Sequence, residues 1–398
     1  MDAHANVLLW SDARPRMVVL LAGVLAMAVV LAGCGGDTEE GSTSSANTPS
    51  PLAVAATFDT TQITGVAVSG SGRTFVNSPY WTDTHGASVF EVTGETAATP
   101  YPNAEWNRQW TKDAGMDPAR TFVCVQSVYV DPENPETLWI LDPASPKFEG
   151  VVPGGAKLVE VDLRTDTIQR TIVFDSAVAP RGSYLNDVRV SSDQRHAYIT
   201  DSNLGALVVV DLTDGSARRV LDDHPSTAAD TSYVLRIGNG ELRTADGSVP
   251  QIASDGIALS PDGQYVYYHA LTGTHLYRVP TAALNDPDRS ADRLAAEVED
   301  LGETAVTDGM IAGPDGTIYH TALEADAVIG WHSERGLDTL VIDSRLQWPD
   351  SFALGPDGDL YVTTSQIHLM PQYNDGVSQR TDPYRVFRYP LSSPTAAE

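Results

Sequence analysis

The sequence predicts an all-β protein, a six-bladed β-propeller whose last blade is completed by a strand from the N-terminal side. Two observations lead to this fold: a strand–turn–strand segment recurs six times along the chain, and a spare apolar strand precedes the first copy. A repeat of about 60 residues with four short strands is typical of a propeller blade. The 398 residues are sufficient for one large closed β-architecture with a substantial core.

The repeat is clearest in the C-terminal half, where three copies share the turn Pro-Asp-Gly between two apolar strands. Proline fixes its own φ, the aspartate side chain hydrogen-bonds to the backbone of the turn, and glycine accepts a positive φ. This tripeptide therefore favours a turn for a physical reason. Three weaker copies precede these, which gives six in all. The first strands of the six copies start at Thr64, Gln126, Asn186, Asp255, Asp308 and Asp350.

Further strands complete the blades and close the ring. A third apolar strand follows every copy, and a fourth is visible in most of them, as at 167–174, 216–221 and 338–342. The sixth copy ends at Tyr389 without a fourth strand, whereas Leu52–Phe58 has no blade of its own. Pairing these two strands removes both open sheet edges. The long insertions at 96–121 and 221–251 are expected to be loops on the ring.

The N-terminal residues have the features of an export signal. Arg14 and Arg16 precede an apolar run at 17–32, which is shorter than the roughly 20 residues that a membrane-spanning helix needs. The run leads into Leu-Ala-Gly-Cys, which resembles a bacterial lipobox, so we expect Cys34 to carry the lipid of a mature lipoprotein. An uncut membrane anchor is the alternative, and Met17 is an alternative start of translation.

These features divide the chain into a signal peptide (1–33), a flexible tether (34–51), the propeller (52–391) and a short tail (392–398). The tether is rich in Gly, Ser and Thr, a composition that cannot bury an apolar face. We expect an exported protein that is lipid-anchored to the bacterial cell membrane, at its extracellular or periplasmic face. Cys124 is then the one cysteine in the propeller, so an internal disulfide is excluded.

The net charge of the chain limits the classes of molecule that it is expected to bind. The chain has 53 acidic and 25 basic residues, which gives a formal net charge of −28. Nucleic acid and anionic membrane surfaces are repelled by such a protein, whereas cations and cationic small molecules are attracted. We therefore expect a small-molecule ligand, no nucleic acid, membrane contact only through the lipid anchor, and a monomer in preference to an oligomer.

Polar side chains recur where the predicted blades converge. In a propeller the start of each first strand and the end of each second strand lie on one face of the ring, close to its axis. Six polar residues at these two levels are predicted to bind the ligand: Gln126, Asn186, Thr200, Asp255, Asp308 and Thr363. The tryptophans, Trp81 and Trp348 among them, are expected mostly to pack between blades.

Two kinds of chemistry suit such a pocket. Asp350, His269 and His320 are predicted to be catalytic, because a carboxylate and histidines at one mouth supply acids and bases near neutral pH.

Crowded aspartates also raise one another's pKa or require a cation, and oxygen donors suit a hard divalent ion such as Ca²⁺. The candidate metal ligands are Asn186, Asp255 and Asp308. Alternatively, these aspartates only bond backbone amides of the next blade.

Several stretches of the predicted propeller carry motifs that known proteins share. The clearest are at 101–107, 122–131, 138–142, 184–188, 197–201, 221–225, 346–352, 361–368 and 383–387. They resemble the bacterial branch of the Yellow and major royal jelly protein family over about residues 58–391. The resemblance implies a six-bladed propeller and export. Some relatives are linked to dopachrome conversion and others bind aromatic amines in the central channel, but no relative's catalytic residue is carried over to a position here.

A more distant similarity is to the gluconolactonase and regucalcin propellers, which imply a divalent ion held by a first-blade glutamate and by Asn and Asp from later blades. Asn186 and Asp255 or Asp308 match the later ligands, but Thr64 stands at the first-blade position. Three hypotheses follow. The protein is a ligand-binding propeller, acting as a dopachrome-tautomerase-like isomerase; or a metal-dependent lactonase; or a non-catalytic surface protein.

Overall fold

The computed structural model describes residues 50–83, 85–380 and 383–391. Within these ranges the chain forms six four-stranded antiparallel sheets and one two-stranded hairpin, which confirms the six-bladed β-propeller. The predicted signal peptide, the lipidated Cys34, nearly all of the tether and the tail lie outside the described residues. In the described part of the chain, no helix has the length and apolar character to cross a membrane.

Blades 1 to 3 each consist of four consecutive strands, numbered here in chain order after the first strand, β1 (Ala53–Phe58). Blade 1 contains β2 (Val66–Val68), β3 (Thr74–Asn77), β4 (Val89–Gly94) and β5 (Ala97–Pro100). Blade 2 contains β6 (Ser127–Val130), β7 (Thr137–Asp142), β8 (Lys157–Asp162) and β9 (Thr167–Val173). Blade 3 contains β10 (Leu185–Val190), β11 (His196–Asp201), β12 (Ala206–Asp211) and β13 (Ala217–Val220).

Blades 4 to 6 follow a short hairpin of β14 (Arg236–Ile237) and β15 (Gly240–Glu241). Blade 4 contains β16 (Ser254–Leu259), β17 (Tyr265–Ala270), β18 (His275–Pro280) and β19 (Glu299–Glu303), with helices α1 (Thr281–Leu284) and α2 (Ala291–Ala295) before its last strand. Blade 5 contains β20 (Thr307–Ala312), β21 (Ile318–Ala322), β22 (Ala327–His332) and β23 (Gly336–Ile342). Blade 6 contains β24 (Pro349–Leu354), β25 (Asp359–Thr364), β26 (Tyr384–Pro390) and β1. Single 3₁₀ turns lie at Lys112–Ala114, Pro146–Phe148, Leu323–Ala325, Ile367–Leu369 and Pro371–Tyr373.

The N-terminal strand closes the ring as predicted. β1 pairs antiparallel with β26, with Ala53 opposite Arg388 and Phe58 opposite Tyr384. The last blade thus combines residues from both ends of the propeller, and β26 gains a partner on each side. Because this pairing leaves neither strand with an unpaired inner edge, it stabilises the circular closure.

The outer strands differ from the prediction in two blades. β5 lies inside the insertion that was expected to be a loop, and β19 has the acidic sequence Glu-Asp-Leu-Gly-Glu without apolar alternation. Both are largely exposed outermost strands, so their sequences need no buried face and carry no strand signal. The second insertion contains the β14–β15 hairpin, which was also expected to be loop.

The core lies between neighbouring blades, whose sheets pack face to face around the axis. The inner strands are almost fully buried, as in β6 and β10, where every residue is buried. Large side chains such as Trp139 and Tyr198 fill the space between sheets. The inner strands therefore form a rigid frame, and side chains at their ends are held in fixed positions.

Candidate functional site

Four inner strands begin with an irregularity at the same level of the ring. The register of the inner strand against the second strand shifts at 185–188, 254–257, 307–310 and 349–352, which marks a β-bulge in blades 3 to 6. The first residues of the four bulges are Asn186, Asp255, Asp308 and Asp350. A bulge re-aims side chains out of the regular pleat. The alignment of the repeats therefore located this level correctly.

A threonine on the second strand fixes the bulge in three of these blades. Thr200 Oγ1 accepts the amide of Asp187 at 3.1 Å and donates to the Asp255 carbonyl of the next blade at 2.7 Å. Thr321 Oγ1 accepts the amide of Asp308 at 3.1 Å, and Thr363 Oγ1 accepts that of Ser351 at 3.0 Å. Thr200 and Thr363, which are predicted to bind the ligand, hydrogen-bond to backbone groups and do not line the cavity described below.

The glycine after each aspartate permits close approach of the next blade. A Cβ on Gly256 would lie 2.5 Å from the carbonyl oxygen of Asp308, and one on Gly309 would lie 2.1 Å from that of Asp350. No side chain fits in these places, which is why Asp-Gly recurs in blades 4 and 5. The carboxyl groups of successive blades are brought together as a result.

Four aspartates form an acidic cluster at this level: Asp187, Asp255, Asp308 and Asp350 are all at most 6% exposed. Asp255 and Asp308 lie at the starts of the inner strands of neighbouring blades, and Oδ2 of Asp308 accepts the indole N–H of Trp348 at 2.6 Å. Asp187 was missed by the sequence analysis. Its carboxylate accepts from Ser127 Oγ at 2.8 Å and lies 3.5 Å from the guanidinium of Arg189.

Asp350 is the one member of the cluster besides Asp187 that does not line the cavity. Its Oδ1 accepts from Ser351 Oγ at 3.1 Å, whereas Oδ2 is buried and has no hydrogen-bond partner among the described residues. Burying an ionised carboxylate oxygen without a hydrogen-bond donor costs free energy of folding. The geometry therefore favours a protonated Asp350.

Burial and like charge shift the proton affinity of the cluster. Burial raises the pKa of Asp255 well above its ordinary value, and the neighbouring carboxylates of Asp308, Asp187 and Asp350 raise it further. Burial also raises the pKa of Asp308 to about 7, against the effect of the indole donor. The pKa of Asp350 is raised well above its ordinary value, again first by burial. At neutral pH the cluster therefore retains protons or attracts a cation.

A cavity of about 360 Å³ opens above Asp255 and Asp308, and we call it the axial cavity. Gln126 and Asn186, which are predicted to bind the ligand, also line it, and so does Trp348. Its wall includes further aromatic side chains, namely Trp81, Phe148, Tyr184 and Tyr373. Trp81 and Trp348 thus face the cavity as well as packing in the core, which the sequence did not indicate.

The aromatic wall is ordered by direct contacts. The ring of Phe148 lies 5.4 Å from those of both Trp81 and Tyr184. The indole of Trp81 donates to the Tyr184 hydroxyl at 2.6 Å, and that hydroxyl donates to Gln126 Oε1 at 2.8 Å. Phe148 is half exposed and has a φ of 58°, a left-handed backbone that non-glycine residues rarely adopt. An exposed aromatic ring held this way is available to a ligand.

Arg189 lies further along the axis. Its guanidinium donates to the carbonyl of Met310 on blade 5 at 2.6 Å and lies over the ring of Tyr129. Arg189 also lines a second cavity of about 270 Å³ at the opposite ends of the inner strands, with Asp131 at its edge. The side chain therefore lies between the acidic cluster and the opposite face of the ring.

The histidines predicted as catalytic lie elsewhere. His269 and His320 are fully buried, 6.3 Å apart between ring centres, and neither lines the axial cavity. His269 donates from Nδ1 to the carbonyl of Ala270 at 2.6 Å, and both nitrogens of His320 lack hydrogen-bond partners in the described part of the chain. Burial lowers the pKa of His269 to about 4 and that of His320 to about 3, so both are neutral at pH 7. They do not reach a ligand in the cavity.

The residues at the cluster do not fit the predicted divalent metal centre. Within residues 50–83, 85–380 and 383–391, no three His, Cys, Asp or Glu side chains are arranged to hold a metal ion. Asn186 donates from Nδ2 to Ser202 Oγ at 3.1 Å, and Oδ2 of Asp308 is occupied by Trp348. Thr64, at the first-blade position, donates its hydroxyl to the Gln126 carbonyl at 3.2 Å. We therefore assign no metal to Asn186, Asp255 and Asp308.

Several solved structures have a similar fold. A presumed gluconolactonase is 13% identical, with a TM-score of 0.51, and the match covers 85% of this chain and 92% of that one. Virginiamycin B lyase from Staphylococcus aureus is 13% identical, with a TM-score of 0.46 and coverage of 86% and 89%. A gluconolactonase from Xanthomonas campestris is 11% identical, with a TM-score of 0.47 and coverage of 84% and 88%. At such identities only the fold is shared.

Sequence comparison is more specific. No curated protein matches the chain significantly. The family model described as "Major royal jelly protein" matches residues 123–384, from just before β6 in blade 2 to the start of β26 in blade 6. This match spans well over half of the chain and includes Asn186, Asp255, Asp308 and Trp348. The chain therefore belongs to the major royal jelly protein family.

Proposed function

We propose that this protein is an exported, lipid-anchored propeller that binds a small aromatic cation in the axial cavity. The observation that carries the proposal is the combination of one aromatic wall and one buried acidic floor in a single cavity. A cation over an aromatic face gains about 0.5–2 kcal/mol, and more where water is excluded. A concave site that combines aromatic side chains with convergent polar groups is typical of small-molecule binding.

Charge balance supports a cationic ligand over a neutral one. Asp187 has Arg189 as its partner, whereas Asp255 and Asp308, which line the cavity, have no basic side chain within ion-pair distance among the described residues. An ammonium group above this floor compensates their charge without a metal. The net charge of −28 also attracts such a ligand from solution.

Calorimetric titration with tyramine and with 4-ethylphenol tests the proposal, because the two probes differ by the ammonium group. We expect tyramine to bind at least tenfold more tightly. Phe148→Ala should weaken tyramine binding about fivefold or more, whereas Leu337→Ala should not; Leu337 is equally exposed, at 49% against 50%, but lies on the outer strand of blade 5. Equal binding of the two probes would contradict a cationic ligand, whereas no binding of either would favour a surface protein without a small-molecule ligand.

Export and lipid anchoring rest on the N-terminal sequence, where the apolar run ends at Cys34. Labelled fatty acid should be incorporated into the protein in bacterial cells and should be lost in Cys34→Ala. That variant should also leave the membrane fraction. Incorporation that persists in Cys34→Ala would overturn the anchor while leaving the ligand proposal intact.

A further inference from the structure

A second cavity of about 270 Å³ lies at the end of the ring opposite the axial cavity, where the inner strands β6, β10, β16, β20 and β24 end. We propose that this basal cavity binds a small zwitterion with an apolar side chain, such as an apolar α-amino acid. The carboxylate of the ligand binds Tyr129 and Arg189 at the floor, and its ammonium group binds Glu133 at the mouth. The two cavities share none of their lining residues within the described ranges, so this site goes beyond the proposed function.

Tyr129 and Arg189 form the floor of the basal cavity. They are 8% and 4% exposed, and the guanidinium lies 5.0 Å from the centre of the Tyr129 ring. Tyr129 lines the cavity, and its hydroxyl has no hydrogen-bond partner in the part of the chain that the structure describes. A buried hydroxyl without a partner costs free energy, so contact with a ligand oxygen is favourable. The floor therefore offers a hydrogen-bond donor and a positive charge to an anionic group.

Main-chain contacts hold Arg189 in place. Its guanidinium donates to the carbonyls of Val188 and Met310, at 2.6 Å in both cases, and Nε is buried without an acceptor among the described residues. Asp187 is the one described carboxylate within ion-pair distance of Arg189, and its 3.5 Å exceeds the roughly 2.7–2.9 Å of a charge-assisted hydrogen bond. Because carbonyl groups carry no net charge, the guanidinium retains its attraction for a ligand carboxylate and is positioned before the ligand binds.

Carboxylates lie at the mouth of the basal cavity. Asp131 is 5% exposed, and its carboxylate already accepts from Asn134 Nδ2 at 2.7 Å and from Gln194 Nε2 at 3.0 Å. Glu133 is exposed, and its carboxylate has no ion pair or hydrogen bond among the described residues. A simple cation would meet Arg189 at the floor, and a simple anion would meet Glu133 and the net charge of −28. A zwitterion places each of its charges next to an opposite one.

The remaining wall of the basal cavity is largely apolar. The apolar lining residues come from the inner strands and the turns after them: Leu259, Ile311, Leu354, Pro132, Pro261 and Pro314. The three prolines occupy the same position of equivalent turns in blades 2, 4 and 5, and proline has no N–H to offer. The volume is below the roughly 300–1,000 Å³ typical of sites for drug-sized ligands. The wall and the volume therefore suit a small apolar side chain.

Calorimetric titration with three probes of matched side chain tests the two charges. L-leucine carries both charges, 4-methylpentanoate lacks the ammonium group, and isoamylamine lacks the carboxylate. We expect L-leucine to bind at least tenfold more tightly than either of the other probes. Equal binding of L-leucine and one of them would overturn the zwitterion, and no binding of L-leucine at millimolar concentration would overturn the site.

Two conservative variants test the residues. Tyr129→Phe removes only the hydroxyl and should weaken L-leucine binding about fivefold or more, whereas Tyr319→Phe should not; Tyr319 is equally buried, at 8% exposed, but does not line the basal cavity. Glu133→Gln, at an exposed position, should weaken the binding of L-leucine but not that of 4-methylpentanoate. Unchanged affinity for L-leucine in both variants would overturn the assignment.

Competition separates this site from the axial cavity. L-leucine affinity should stay within about twofold in saturating tyramine and in Phe148→Ala, because the cavities have different lining residues. Competition between the two probes would place L-leucine in the axial cavity and overturn the basal site, while the proposed function would stand. Binding of L-leucine without binding of tyramine would support the basal site and contradict only the proposed function.

Discussion

The indole N–H of Trp348 donates to Oδ2 of Asp308 at 2.6 Å, and this bond joins a residue outside the repeated strands to the centre of the acidic cluster. Trp348 is fully buried and has a φ of 55°, in the left-handed region. It also stacks on His368, with the ring planes 10° apart. The local backbone is therefore unusual where the indole meets the carboxylate, and such strain persists only where its surroundings hold it in place.

Trp348→Phe should destabilise the fold by about 1.5–3 kcal/mol more than Trp139→Phe, measured as free energy of unfolding in urea. Both tryptophans are buried, but Nε1 of Trp139 has no hydrogen-bond partner in the described part of the chain, so that variant breaks no hydrogen bond. The difference between the two variants isolates the bond to Asp308. Equal losses would show that the bond contributes nothing to stability.

Lys157→Met should cost about 3–5 kcal/mol, because it leaves a buried carboxylate without its cation. Lys157 Nζ lies 2.6 Å from Oδ2 of Asp142, and both side chains are fully inaccessible. The double variant with Asp142→Asn should lose clearly less than the sum of the two single variants, as a double-mutant cycle of unfolding free energies measures. Additive losses would mean that the pair is not coupled.

The propeller was predictable because its signals are local: Pro-Asp-Gly turns and alternating strands repeat at one spacing, and the spare strand closes the ring. Aligning the repeats also located Asn186, Asp255 and Asp308, because equivalent residues in a ring meet at the same level. The family resemblance agreed with this. Lipidation of Cys34 and the predicted ligand remain predictions.

Side-chain direction was not predictable in the same way. His269 and Thr200 occupy equivalent positions near the ends of second strands, yet neither side chain lines the cavity. Thr200 accepts a backbone amide of the bulge on the inner strand, and His269 bonds to the carbonyl of Ala270. The side chains of the bulge itself are the ones that reach the cavity. Asp187 was missed because glycine stands at its position in blades 4 and 5. Phe148 and Trp348 lie in connections with positive φ, where no periodic pattern indicates direction.

Thr363→Val should destabilise the protein by about 1–3 kcal/mol and leave tyramine affinity within about twofold of the wild type. Its hydroxyl accepts the amide of Ser351 and donates to the carbonyl of Thr64, which joins blade 6 to blade 1. Thr339→Val, on an exposed outer strand, is the matched control and should cost little. A large loss of affinity without loss of stability would restore the sequence-based assignment of Thr363 to the ligand.

Asp350→Asn should stabilise the protein relative to the wild type, and this stabilisation should be larger at pH 8 than at pH 5. The pKa of Asp350 is raised in the folded state, so the unfolded chain loses this proton first and ionisation opposes folding as the pH rises above about 4. The neutral variant lacks this penalty, and its advantage over the wild type should grow between pH 5 and pH 8 in urea unfolding. A variant that is less stable at both pH values would show that the ionised carboxylate has a favourable partner.

The buried histidine His320 should make the protein sensitive to acid. Its pKa is lowered to about 3 by burial, whereas the unfolded chain takes up the proton near pH 6.5, so stability is lost as the pH falls through that range. Between pH 7 and pH 5 the loss from this one residue is about 2 kcal/mol. His320→Leu and His320→Gln should both remove it from the pH dependence of the unfolding free energy, whatever each does to stability at pH 7. If the two variants keep the wild-type slope, His320 takes up a proton in the folded state and is not enclosed as described. If only one of them changes the slope, repacking around residue 320 and not proton uptake governs the acid response.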